Sequence, residues 1–251
     1  MGWQVPFAEY EHKYKNIRLV RDDGVLQISL HTDGDSFVWS GEASAELKDL
    51  FVNVAADVEN KVAVITGTGG SFCVQGGEGG DGRGSKQWTF VNGRQQHPWV
   101  YYGGAGPDGP ILISAVNGPV TVHCEVPLIA DLVIAADTAY FQDTHLARGK
   151  VPGDGIQELW EYYMGPRLAR YFLLTGKKVQ PAQALAFGLV SEVVPADQVV
   201  ARALTLAREI AGSNSSALLR YMRMLVNERY LEITNRHHAY GRALQYLAYD
   251  A

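Results

Sequence analysis

The chain has 251 residues, 47% of them hydrophobic and 20% charged, with a formal net charge of -5. That is enough chain to bury a full core in one large or two modest domains, and it excludes disordered and fibrous classes. The mild acidity argues against broad binding of nucleic acid or anionic membranes, which takes a basic surface.

Taken in chain order, the first elements read as strands. Ile17 to Val20 and Val25 to His31 are β-forming runs around an Asp-Gly turn, which predicts a hairpin. Leu47, Leu50, Phe51, Val54, Ala55 and Val58 recur at the helical period, so a helix begins near Leu47. Val62 to Thr66 is a short apolar strand of the kind buried on both faces in parallel sheets. Residues 68–84 are rich in glycine and read as a loop; Ile111 to Val116 and Leu132 to Ala136 are two further strands. Strands and helices in alternation indicate right-handed crossovers and an α/β sheet.

The character changes after about residue 155. Pro181 opens a helix that Gly188 closes, and Pro195 precedes another that ends near Gly212. Ser215 to Tyr230 and Asn235 to Ala248 are the last two helices. The plan is a βα core over 1–195 and a helical C-terminal subdomain over 196–251. No stretch approaches the roughly 18 apolar residues of a membrane span, and the first residues lack a signal-peptide pattern. The expectation is a cytoplasmic protein without membrane partners. Cys73 and Cys124 are far apart, outside any CxxC pair, and are expected to be reduced and buried.

Several chemistries are excluded by spacing. The glycine-rich stretch has neither Gly-Lys-Ser/Thr nor GxGxxG, so it is not a nucleotide cradle of either kind. His123-Cys124-Glu125 matches half of a zinc-deaminase signature, but the PCxxC half is missing. There is no HExxH and no GxSxG. No metal and no cofactor are expected. What remains is His123, His145 and Asp154, each in a loop after a predicted strand, where α/β folds build their sites. Taken alone, a loop histidine is more often structural than catalytic, and Gly153-Asp154-Gly155 is turn chemistry with a helix to follow.

A family resemblance changes that balance. Val64-Ile65-Thr66-Gly67 with Ser71-Phe72-Cys73, then Val116-Asn117-Gly118, Asp131 to Ala135, Ala139-Tyr140-Phe141 and Val151-Pro152-Gly153 resemble the successive motifs of enoyl-CoA hydratases. Tyr171 to Gly176, Ala182 to Ala184 and Gly188-Leu189-Val190 continue the series. By this resemblance, which runs from about residue 15 to 212, the chain is identified as a member of the crotonase superfamily. The fold it implies is the crotonase fold, a ββα spiral core with a helical C-terminal subdomain, assembled as a trimer or dimer of trimers.

The departures from the hydratase pattern are informative. The glycine run that follows Asn-Gly in acyl-CoA crotonases is replaced by Pro119-Val120-Thr121-Val122-His123. The position of the hydratases' catalytic glutamate falls on His145, and the residue after the Pro-Gly pair is Asp154. Asn117 to His123, Phe141-Gln142-Asp143 with His145, Val151 to Gly155 and Phe37-Val38-Trp39 are similar to the β-diketone hydrolases of the 6-oxocamphor hydrolase type. That branch's C-terminal glutamate is absent and Arg242 stands there; either another acid, such as Glu125 or Asp143, takes its role, or the role is dispensable.

The resemblance implies retro-Claisen cleavage of cyclic, non-enolisable 1,3-diketones to keto acids, without coenzyme A. In this reading neutral His145 takes a proton from water while Asp154 holds its other ring nitrogen. The Trp39 indole and a His123 N–H stabilise the oxygen that becomes negative. Such a base loses activity when protonated at acid pH. Trp39, Glu125 and Trp88 are the expected substrate contacts, and Trp99, Tyr101 and Tyr102 are further aromatic candidates for the pocket. The alternatives are an acyl-CoA hydratase or isomerase, which would want the glycine run and catalytic glutamates, and a non-catalytic binding or RNA-binding protein of the same fold.

Overall fold

Two β-forming runs around Asp23-Gly24 make the first strand pair in the structure, a computed structural model that describes residues 4–77 and 108–248, the side chains of 234–239 and 246 excepted. β1 (Ile17–Asp22) and β2 (Val25–Leu30) are antiparallel, with Asp22 opposite Val25. The turn residues have φ of 45° and 76°, the left-handed pair that a two-residue hairpin turn requires and Asp-Gly supplies. β3 (Val38–Trp39) leads into α1 (Gly41–Ala56). The helix starts at Gly41 rather than Leu47 because Ser40 caps it, accepting the Ala43 N–H at 3.1 Å. A cap of this kind stabilises by about 1 kcal/mol. The apolar stripe marks only the buried face, Leu47, Leu50, Phe51 and Val54, and Val58 lies beyond the helix and exposed.

β4 (Val62–Thr66) is buried throughout. β5 (Gln75–Gly76), in the stretch read as loop, pairs with β3 in parallel. β6 (Ile111–Val116), α2 (Glu125–Leu128) and β7 (Leu132–Ala136) follow. Then come α3 (Ile156–Thr175), α4 (Pro181–Ala186), β8 (Glu192–Val194), α5 (Val199–Ala211) and α6 (Ser216–Ala248). α3 is broken at Gly165, whose φ of 77° and ψ of 161° are not helical, just before Pro166. α6 is one helix where the sequence suggested two.

The main sheet has the order β1-β2-β4-β6-β7-β8 and is parallel except for the first pair. This is the α/β architecture expected. α5 lies across β2, β4, β6 and β7, and its buried positions, Val199, Ala203, Ala207 and Ala211, are small enough for close approach to the strands. The C-terminal segment thus contributes a helix to the layer that covers the sheet. α6 packs on α3 and reaches β6. Its Arg223, fully buried, donates to Asp131 at 2.6 Å. Asp131 also accepts from the Leu112 N–H at 2.7 Å and from Asn227 at 2.6 Å. Arg220 reaches the carbonyls of Ala55, Asp57 and Asp108 at 2.8 to 2.9 Å. These ties fix α6 against the starts of β6 and β7.

Candidate active site

The site is built where loops leave the strand ends. Asn117, after β6, accepts from the Gly67 N–H at 3.2 Å and donates to the carbonyls of Gly69 and Ser71 at 2.9 and 3.1 Å. Gly118 passes so close that an added Cβ would lie 2.2 Å from the Gly70 carbonyl oxygen. The Asn-Gly pair therefore knots the β6 loop to the β4 loop. A run of backbone bridges then links Cys73, Val120, Phe141 and Val179. Val120 donates to Tyr140 at 2.9 Å and accepts from Gln142 at 3.1 Å. The Thr144 hydroxyl donates to the Thr121 carbonyl at 3.1 Å. The loops that carry His123 and His145 are thus one rigid body.

His123 itself has φ of 51°. A left-handed conformation is costly for a side chain with a Cβ, and such residues concentrate at functional positions. Its ring lies 3.9 Å from the Trp39 ring, centroid to centroid, with the planes 32° apart. Pairing of β3 with β5 holds Trp39 in place, and Phe37 packs edge-on against it at 6.1 Å.

Five side chains form an alternating series of acids and imidazoles. Glu125 Oε1 is 2.5 Å from His123 Nδ1. Asp154 Oδ2 stands 3.9 Å from His123 Nδ1 and 3.3 Å from His145 Nε2. His145 Nδ1 is 2.7 Å from Asp143 Oδ2, whose other oxygen accepts the His145 backbone N–H at 3.1 Å. The three acids are buried. The geometry brings together Trp39, His123, Glu125, His145 and Asp154, as the sequence suggested. Trp88, Trp99, Tyr101 and Tyr102 lie outside the described residues.

Asp143 occupies the orienting position on His145 that the sequence reading gave to Asp154. The signal was present: Asp-x-His allows the carboxylate to take both the backbone and the ring N–H of the histidine. Both ring nitrogens of His145 now face carboxylates, and only the imidazolium has a proton for each. Burial alone would lower its pKa, but the Asp154 charge and the bonds to Asp143 and Asp154 outweigh it and lift it to about 11. The neutral His145 expected from sequence is therefore not the resting state.

The same balance works in reverse at Asp154. Burial pushes its pKa up, but the charge and hydrogen bond of His145, then His123 and Arg242, hold it well below the usual carboxylate range. Glu125 is raised, first by burial and then by the Asp154 charge, against the pull of His123.

Arg242 reaches this site because α6 seats directly on the loop before Asp154. A Cβ on Gly153 would lie 2.7 Å from the Gly241 carbonyl oxygen. Arg242 donates to Gln245 at 2.8 Å, and its charge acts on Asp154. It also acts on half-buried Lys48, where burial first and Arg242 second bring the pKa down to about 8.

His123, Glu125 and Asp154 have donor atoms within 4.8 Å of one another and could hold a cation. His123 and Glu125 are already bonded at 2.5 Å, closer than two donors on one zinc-sized ion at about 2.1 Å each. Loading a metal there means opening that bond.

The enoyl-CoA hydratase/isomerase family model matches residues 21–246. The chain belongs to this family, within the crotonase superfamily. Among family members, the carnitinyl-CoA dehydratase of Escherichia coli is 26% identical over 214 residues, covering 81% of this chain and 77% of that protein. The solved enoyl-CoA hydratase of Mycobacterium tuberculosis is 25% identical, with a TM-score of 0.77 over 94% of this chain and all of that one. A β-diketone hydrolase from the cyanobacterium Anabaena, solved with (S)-3-oxocyclohexyl acetic acid bound, is 32% identical. Its TM-score is 0.85, over 96% of each chain. The crotonase fold read from the sequence motifs is the fold of these relatives.

Proposed function

We propose that this protein hydrolyses a cyclic β-diketone, breaking a carbon–carbon bond by retro-Claisen addition of water without coenzyme A. The observation that carries the reading is the acid–imidazole series from Glu125 to Asp143, standing where acyl-CoA crotonases have a glycine run and a catalytic glutamate. The likeness to the Anabaena β-diketone hydrolase supports it. The keto acid bound there has a ring ketone and an acetic acid arm. Joining its carboxyl carbon to the ring carbon beside the ketone, across the ring, gives a bicyclic 1,3-diketone.

The chemistry needs a base for water, donors for an oxyanion and an acid for an enolate. His123, held at Nδ1 by Glu125, has the arrangement of an oriented base, with Nε2 to take the water proton. Hydroxide adds to one carbonyl carbon, and the oxygen becomes negative. Trp39 N–H is one donor for it, and the Nε2–H of the His145 imidazolium, shared with Asp154, is the other. The adduct reforms its carbonyl as a carboxylic acid, and the bond to the central carbon breaks. That electron pair becomes an enolate stabilised by the second carbonyl, and His145 protonates its carbon. The new carboxylic acid gives up its proton, which restores His145, and His123 releases the water proton to solvent. The sum is diketone plus water to keto acid. Asp154, between the two imidazoles, holds both in their protonated forms as they arise. This moves the base from His145 to His123 and keeps His145, Asp154 and His123 as the catalytic set.

Trp39 and Trp88 are the proposed substrate contacts, and the apolar Leu218, Tyr221, Leu225 and Val226, exposed on α6, fit an oligomer such as a trimer. The names of the family and of its Escherichia coli carnitinyl-CoA dehydratase favour a second reading, acyl-CoA hydration or isomerisation. Isotopic water tests the first. Turnover of a bicyclic 1,3-diketone in ¹⁸O-water is expected to place one label in the product carboxylate. A carboxylate without label would contradict water addition.

A further inference from the structure

Glu158 lies four residues after Asp154, in the first turn of α3, near enough for the Asp154 charge to act on it. It is only 5% exposed. Among the described residues its Oε2 is shut from solvent and meets no hydrogen-bond donor, and its Oε1 has one long contact, 3.4 Å from Gln157 Nε2. α2 and α6 pack against α3, with Gly241 of α6 lying against Gln157 in its first turn. They bring Glu125 from the first, and Tyr230 and Arg242 from the second, into the same buried region. Tyr162 and Tyr163, on α3 itself, pack against Tyr230. The charge that acts on Glu158 is that of Asp154, and it has the same sign.

Among the described residues, one long contact from Gln157 is the side-chain donor that meets this buried carboxyl, so its ionised form is poorly stabilised. We propose that Glu158 is a positioning residue, held as the neutral acid, whose ionisation disables the Asp154–His145 pair and sets the alkaline limit of turnover. This rests on the reading of Asp154 and His145 as the groups that carry the reaction's proton. Burial first, and then the Asp154 charge, push the Glu158 pKa up to about 8. When hydroxide removes its proton, a second negative charge stands beside Asp154. The two anions together bind the His145 proton more tightly and slow its transfer to the enolate carbon.

The test is kcat/KM on a bicyclic 1,3-diketone against pH, for the wild type and Glu158→Gln. Glutamine keeps the shape and cannot ionise. The wild type is expected to lose about tenfold per pH unit above about 8, the slope of a single deprotonation. Glu158→Gln is expected to stay active at pH 7 and to lack this fall until His145 titrates near 11. An alkaline limb unchanged in Glu158→Gln overturns the inference alone, whereas a wild type inert to diketones at every pH overturns the functional reading as well. Infrared difference titration of the wild type keeps the test independent of how the variant folds. A buried carboxylic acid band that persists at pH 7 and vanishes near pH 8 is expected, and its absence at pH 7 overturns the inference.

Discussion

His145→Ala is expected to lower kcat on a diketone by about 10² to 10⁴, the usual weight of one general acid or base. The loss follows from geometry: no other described side chain stands between Asp143 and Asp154 with a proton for each. Asp154→Asn is expected to lose activity on a similar scale, because the amide leaves His145 and His123 without the anion that stabilises their charged forms. Circular dichroism and a urea titration on the same samples separate this loss from unfolding. Near-normal turnover by His145→Ala would end its role as the acid.

The protonation of His145 also gives a stability prediction with a definite sign. Its pKa is about 11 in the fold against 6.5 for the free side chain. Its contribution is therefore full below pH 6.5, declines as pH rises, and is gone above about 11. Glu158, neutral in the fold to about pH 8 and with a free value of 4.5, acts in the same direction between those values. Asp154 acts oppositely, since its folded pKa is depressed; its contribution is present above 3.8 and lost as pH falls. Unfolding free energy is thus expected to be greatest near pH 4 to 4.5, to decline from there as Glu158 acts, and to fall more steeply above pH 6.5 as His145 joins it. The His145→Ala chain is expected to show a shallower alkaline fall.

The second large effect is structural. Arg223→Ala is expected to cost about 3 kcal/mol, because it removes a fully buried guanidinium and leaves the mostly buried Asp131 without its counter-charge. The Leu112 N–H and Asn227 still bond to Asp131, but neither carries a formal charge. Replacing both partners with apolar residues, as in Asp131→Leu with Arg223→Met, is expected to restore much of the loss, since the desolvated charge is gone. Urea titration checks both, and a change below about 1 kcal/mol for Arg223→Ala would show that the pair does not hold α6. Because α6 seats Gly241 on Gly153, weakening its anchor is also expected to reduce activity more than folding alone accounts for.

Particular residues show how far the sequence could be read. The strands Val62–Thr66, Ile111–Val116 and Leu132–Ala136 were legible to the residue, because continuous apolar runs mark strands buried on both faces. Glu192–Val194 was not, being three half-buried residues with no periodicity to show. The start of α1 was hidden because periodicity reports burial, whereas Ser40 decides where the helix begins. The site residues His123, His145, Asp154 and Trp39 emerged from motif and resemblance. Their pairing did not, since it depends on which loops the Cys73–Val120–Phe141–Val179 bridges hold together. Nor could Glu158 be seen, because a glutamate in a first helical turn is ordinarily solvated. Here it is 5% exposed.

One comparison bears most directly on the central claim: kcat/KM of a single preparation on a bicyclic 1,3-diketone without coenzyme A, and on crotonyl-CoA. A keto acid from the diketone is expected, with no hydration of crotonyl-CoA above background. Hydration of crotonyl-CoA, with the diketone recovered intact, would contradict that claim.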